Sequence, residues 1–296
     1  MSCRPKHRAI ATRMKYLSPP RVKNFRVLRE LAGTDQGPGN ALLRASLRPI
    51  FKQYARVRAL RCDATKVPLL APAIPADLKG DLEAYFKSKR DCLRYIRFIR
   101  RELSPEVCPL CGSKSSSSVD HMLGRAMFPE LMLLSLNLVP ACSCNSVRRV
   151  HHTQSALHPY FDKLLEKRIV TAIFRGPYDA PTIAVVPTHN LTTDMRARVA
   201  AHVESVLIPN NVVNFLTKRW RYTVEAPLKS LSLVVGATSV QVLSALRRRR
   251  DDAENDTQTP NNWESILYHG MQGDARVVRR LVRQLSGIPI HDIAPL

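Results

Sequence analysis

Four cysteines in two tight pairs constrain this chain more than any other feature. CPLCG sets Cys108 and Cys111 two residues apart with Gly112 next, and PACSC sets Cys142 and Cys144 beginning 31 positions after Cys111. A CxxC turn followed by glycine brings two thiolates onto one metal ion, because glycine accepts the left-handed backbone of the knuckle. A second pair at this distance completes a tetrahedral four-thiolate zinc site across a loop. Such a site is structural, since four sulfurs leave no open coordination position. Redox pairs share the CxxC spacing, but they open a helix after a strand, and here Cys111 leads into the serines 115–118. The second pair, CxC, is one residue shorter than the common form, so either the knuckle is tightened or the metal has been lost. A zinc deaminase needs HxE with PCxxC. His121 is followed by Met122 and Leu123, and that class is set aside.

Charge narrows the partners. The 296 residues carry 46 Lys and Arg against 24 Asp and Glu, a formal net charge of +22. A field of that sign favours a polyanion, nucleic acid ahead of a membrane surface. No apolar run reaches the roughly 18 residues of a membrane span, and no apolar leader is visible at the N-terminus. Seven cysteines, an odd number unevenly spread, argue for a reducing compartment and against a disulfide framework. A cytoplasmic protein with no membrane association is the expectation.

The chain divides into three stretches. Residues 1–104 read as a basic arm and a helical N-terminal region, 105–165 as the cysteine-bearing domain, and 166–296 as an α-rich region carrying no motif that translates into chemistry. Nine Lys and Arg precede the first acid, Glu30. Such an arm lies along phosphates, or is a solvated tail or transit-like leader. TDQGPGN (34–40) is a break, and VPLLAPAIPADL (67–78) is a linker or extended connection. From Asp81, Leu82, Tyr85, Phe86, Cys92, Leu93, Ile96, Ile99 and Leu103 recur at mostly helical spacing, predicting one long helix with a basic outer face. RIVTAIF (168–174) and PTIAVV (181–186) predict two short strands. Thr192 or Thr193 is placed to cap a helix whose Met195, Val199, Val203 and Val206 share a face. Helices are expected over 212–222, 231–246, 263–269 and 275–285. Arg247 to Arg250 against DDAEND, with TQTPNN after it, predicts an exposed loop.

Between and beside the cysteine pairs lie the residues that packing does not require. Asp120 and His121 are adjacent, Asn137 opens NLVPAC, and Asn145 follows Cys144 in CNSVRR; FPEL (128–131) and HPYFD (158–162) flank them. Taken singly, Asn137 is a turn residue and Asn145 a helix cap. Together, in this order and over about residues 105–162, they resemble the HNH endonucleases of the ββα-metal superfamily. The resemblance implies an α+β fold with a zinc-stapled ββα-metal core flanked by helical regions. Departures are the CxC pair, MLGR at 122–125 where a YLPK-like string is common, and Asn145 in place of a final histidine.

What the resemblance implies agrees with the chemistry. Hydrolysis of a phosphodiester needs a deprotonated water in line with phosphorus and positive charge on the leaving oxygen. Histidine suits the first task, making His121 the general base, its imidazole fixed from the position of Asn137. Asp120, pointing away from its neighbour in an extended segment, and Asn145 would ligate a divalent cation. Oxygen donors suit Mg2+ or Mn2+. Arg148 and Arg149 would hold phosphates, and His151 or His152 is an alternative ligand. His158 is expected to pack against the fold. The expected activity is a hydrolase, a DNA endonuclease; RNA as substrate stays open, as does a zinc-supported nucleic-acid-binding protein without catalysis.

Overall fold

The computed structural model describes residues 17–33, 40–113, 116–147 and 156–286, with Asn145 described by its backbone alone. The fold is mixed α+β. Among the described residues four helices come first: α1 (Asn24–Ala32), α2 (Ala41–Ala59), α3 (Ala76–Lys87) and α4 (Arg94–Arg101). A two-stranded antiparallel hairpin of β1 (Ser118–His121) and β2 (Leu138–Ala141) follows, and α5 (Cys144–Val147) starts directly behind it. The rest of the described residues form a second hairpin, β3 (Val170–Arg175) and β4 (Thr182–Pro187), and the helices α6 (Thr193–His202), α7 (Val212–Glu225), α8 (Pro227–Ser230), α9 (Ser239–Thr257), α10 (Trp263–Gly273) and α11 (Ala275–Leu285). Among the described residues no helix is long and apolar enough to cross a membrane.

Two apolar cores lie on either side of the first hairpin. The N-terminal core is built from α1 to α4 with Val119, Leu123, Phe128, Leu131 and Leu138. The C-terminal core is built from β3, β4 and the later helices, and it takes in Met122, Val139, Ala141 and all four paired cysteines. Strand side chains alternate in direction, so Leu138 and Val139, neighbours on β2, are sent to opposite cores. The hairpin is therefore buried on both faces.

The predicted long helix is broken. α3 ends at Lys87, Ser88 turns extended with its Oγ donating to Tyr85 O at 2.8 Å, and a short 3-10 turn at Asp91–Leu93 restarts the chain into α4. The corner has a packing cause: Leu82 of α3 and Tyr95, Ile96 and Ile99 of α4 are buried, and the hydroxyl of Tyr95 reaches Leu133 O at 2.5 Å. The basic face survives, with Arg94, Arg97, Arg100 and Arg101 exposed. A second correction concerns 247–262, expected as a loop: α9 runs unbroken through Arg247 to Thr257, and only 258–262 lie between helices. Ion pairing explains this, because Glu254 meets Arg250 one turn earlier and Arg168 from before β3, while Ala253 is buried.

Elsewhere the local signals held in part. β3 and β4 pair over the two β-branched runs, and Thr192 caps α6, its Oγ1 accepting from Met195 N at 3.4 Å. Val199, Val203 and Val206 are buried, but Met195 is exposed. The helix expected over 231–246 begins only at Ser239, behind a capping box of Thr238 and Gln241. Gly270 lets α10 lie directly on β3: a Cβ there would collide with the carbonyl of Ala172. Phe174 and Trp220 stack at 4.7 Å in the same layer.

Candidate metal centre and histidine loop

All four cysteines of the two pairs are buried and converge. Their sulfurs lie within 4.8 Å of one another, with Cys108 and Cys144 at 3.7 Å and Cys111 and Cys142 at 3.5 Å. Sulfurs about 2.3 Å from a tetrahedral zinc stand about 3.8 Å apart, so the donor set fits that ion. The shortened CxC is accommodated by a tight turn in which Cys144 N donates to Cys142 Sγ at 3.3 Å. On the other side Gly112 N donates to Cys108 O at 2.9 Å, and Gly112 sits at φ +73°.

Charge on the sulfurs is shared out by donors. Cys142 Sγ is drawn far below the usual thiol range by hydrogen bonds from Cys108, Cys111 and Cys144, with Ser113 adding to them. Cys144 and Cys111 are pushed up, chiefly by their hydrogen bonds with Cys108. A divalent cation removes that conflict by letting all four ionise. Two further donors reach the sulfurs, one from outside the pairs and one from a cysteine backbone: Asn210 Nδ2 reaches Cys111 Sγ at 3.1 Å and Cys142 N reaches Cys108 Sγ at 3.4 Å. Such outer contacts orient ligands and moderate their charge.

The C-terminal region grips this knuckle. Trp263 Nε1 donates to Cys111 O at 2.5 Å, and His202 Nε2 donates to Leu110 O at 2.7 Å while its Nδ1 accepts from Leu157 N at 3.1 Å. A Cβ on Gly112 would strike the carbonyl of Asn261, so only glycine permits the approach. None of these partners carried a sequence signal, because each lies 90 or more positions from the knuckle or touches only its backbone.

His121 ends β1, opposite Leu138. Its Nε2 lies 3.1 Å from Met132 O and its ring stacks on Phe86 of α3 at 4.8 Å. A carbonyl only accepts, so Nε2 carries the hydrogen and, in the neutral ring, Nδ1 carries the lone pair. Asn137 is close by but does not hold the imidazole, contrary to expectation. Wholly buried, it staples the loop that does: Oδ1 accepts from Leu123 N at 2.7 Å, and Nδ2 donates to Leu123 O at 3.1 Å and Leu131 O at 3.2 Å. Its backbone O accepts from Met122 N at 2.9 Å. Tyr95 fixes Leu133 in the same loop, and thereby the neighbouring Met132 carbonyl.

Asp120 and His121 are buried at 8% and 7% exposure. Asp120 does not simply point away from its neighbour; its Oδ1 turns back to accept from His121 N at 2.7 Å. The side chain of Asn145, with Arg148, Arg149, His151 and His152, lies outside the described residues, as does the arm 1–16. Among the described residues the four cysteines are the one group of three or more His, Cys, Asp or Glu placed to hold a metal. HPYFD braces the site from behind as expected of His158: its Nε2 lies 3.1 Å from Leu136 O, and Tyr160 Oη donates to Leu138 O at 2.7 Å.

No family model and no solved structure matches the chain. Protein ea31 of Escherichia phage lambda is 40% identical to it over 182 residues. The match covers 56% of this chain and 61% of that protein, so the chain spans about three-fifths of the relative's length.

Proposed function

We propose that this chain is a metal-dependent HNH endonuclease that hydrolyses phosphodiester bonds in DNA, built on a zinc-stapled ββα-metal core over residues 105–165. One arrangement carries the reading: His121 on the first strand of a hairpin, its tautomer set by the Met132 carbonyl, in a loop closed by Asn137 and followed by a helix that starts at a cysteine of the four-sulfur cluster. In that role Nδ1 of His121 accepts the proton of the attacking water, and Met132 O stabilises the ring as it becomes charged. Asp120 and Asn145 are the residues that would hold Mg2+ or Mn2+, which supplies positive charge for the leaving oxygen. The cysteine cluster with zinc fixes the relation between hairpin and helix and takes no part in chemistry. Arg148 and Arg149, following Asn145 in sequence, would meet flanking phosphates.

The test is nicking of supercoiled plasmid with Mg2+ or Mn2+. Wild type is expected to cut, and His121→Ala to cut about 10² to 10⁴-fold more slowly while DNA binding persists. Intact plasmid with wild type, or equal cutting by both, refutes the assignment. Burial favours a second reading, a catalytically inactive zinc-supported nucleic-acid-binding protein, because both Asp120 and His121 are shielded and an Asp120 oxygen is engaged by backbone. Only the enzyme predicts divalent-dependent nicks.

A further inference from the structure

The described part of the basic arm builds one wall of a groove. Residues 19–26 and Arg29, the end of α2 and the turn Leu134–Leu136 enclose about 1110 Å3. Arg21, Lys23, Arg26, Arg29 and Arg58 line it, and among the described residues no carboxylate does. Arg21, Lys23, Arg26 and Arg58 form no ion pair among the described residues. Cations gathered in a concave site create a positive potential that draws anionic ligands to it.

An apolar ring stands among these charges. Phe25 is 45% exposed, held edge-on by Phe51 at 4.7 Å and flanked by Tyr54 at 6.4 Å. A rigid exposed aromatic beside a row of cations is the combination that binds unpaired bases and their phosphates. A duplex offers the phosphates but keeps its base faces stacked on one another. The floor of the groove also belongs to the histidine loop. Asn24 Oδ1 accepts from Ser135 N at 3.0 Å and its Nδ2 donates to Ser135 Oγ at 3.0 Å, two residues before Asn137 and three after Met132.

We propose that this groove holds an unpaired DNA strand, with Arg21, Lys23, Arg26 and Arg58 on its phosphates and Phe25 under a base. The inference deepens the nuclease reading and rests on it for the choice of DNA over RNA and for the fate of the strand, though not for the binding of an unpaired strand. Fluorescence anisotropy of the full chain with labelled (dT)12, (rU)12 and a 12-base-pair duplex tests it, with no Mg2+ or Mn2+ added so that cutting plays no part. (dT)12 is expected to bind tightest. In the Arg21→Ala, Arg26→Ala, Arg58→Ala triple variant the slope of log K against log salt falls by about 2, since each phosphate on a single strand contributes about 0.7. Phe25→Ala weakens binding about 5- to 150-fold with the slope unchanged, and Phe25→Tyr, which keeps the ring, restores it. Melting curves for each variant separate lost binding from lost folding. An unchanged slope in the triple variant, a folded Phe25→Ala binding like wild type, or a preference for duplex or RNA overturns the proposal. A chain that binds (dT)12 as described yet nicks no plasmid keeps the groove and loses the nuclease; a chain that nicks with binding unaffected by the groove variants does the reverse.

Discussion

Replacing Asn137 by alanine removes three buried hydrogen bonds at once, those to Leu123 N, Leu123 O and Leu131 O. A buried bond of this kind contributes about 1 kcal/mol net, and the stranded backbone groups add desolvation that water entering the loop partly offsets. The sum is about 2–4 kcal/mol, carried locally by residues 122–134. Native-state hydrogen exchange reads it directly, as a loss of protection of roughly 30- to 900-fold at the amides of Met122, Leu123 and Leu134. The amides of α9, packed in the other core, are expected to change little. Asn137→Asp makes the test sharper. It keeps an acceptor for Leu123 N but turns a carboxylate oxygen towards two carbonyls, so burial and repulsion raise its pKa above the unfolded value. The loop is then protected at low pH, where the acid is neutral, and loses protection as pH rises through the raised pKa. Loss of less than about threefold in Asn137→Ala would show that the asparagine does not close the loop.

Three further outcomes follow from the described contacts. Purified protein is expected to carry one zinc ion per chain by elemental analysis, and Cys144→Ser to lose most of it together with melting temperature, because a three-thiolate remnant binds more weakly; equal zinc in both would refute the four-sulfur centre. His269 has its pKa lowered to about 4, by burial first and then by Arg168, Arg250 and His189. An unfolded histidine takes up its proton near 6.5, so this group's contribution is whole above that pH and declines as pH falls towards 4; His269→Gln should flatten that part of the stability profile, measured by urea unfolding. Gly270→Ala forces α10 off β3 at the Ala172 carbonyl and is expected to lower stability by about 1–3 kcal/mol, read as a drop in the melting temperature.

Particular residues show where sequence reasoning reached and where it stopped. The cysteine pairs, the β3 and β4 runs and the Thr192 cap were readable because each depends on neighbours within a few positions. Reading 81–103 as one helix failed because apolar spacing alone cannot register a corner, and the corner at Ser88 serves packing on both sides of it. Arg247 to Asp256 was misjudged for a related reason: charges that look like a solvated loop were half of a network completed by Arg168, 86 positions from Glu254. Asn137 was singled out for the imidazole, but its side chain bonds the backbone of Leu123 and Leu131 instead. The imidazole is held by a main-chain oxygen, and a main-chain oxygen leaves no trace in the identity of Met132.

By itself the sequence determined the donor set for a metal, the sign of the field around the molecule and the segments able to form strands and helices. These follow from side-chain chemistry and local periodicity. Tertiary structure alone decided that both faces of the first hairpin are buried, that Asn210 and Trp263 close over the cysteine knuckle, and that the described part of the basic arm gathers around Phe25 in a groove floored by the histidine loop. Such contacts join residues far apart in the chain, and their energy depends on shape and mutual burial, which exist only once the two cores have formed.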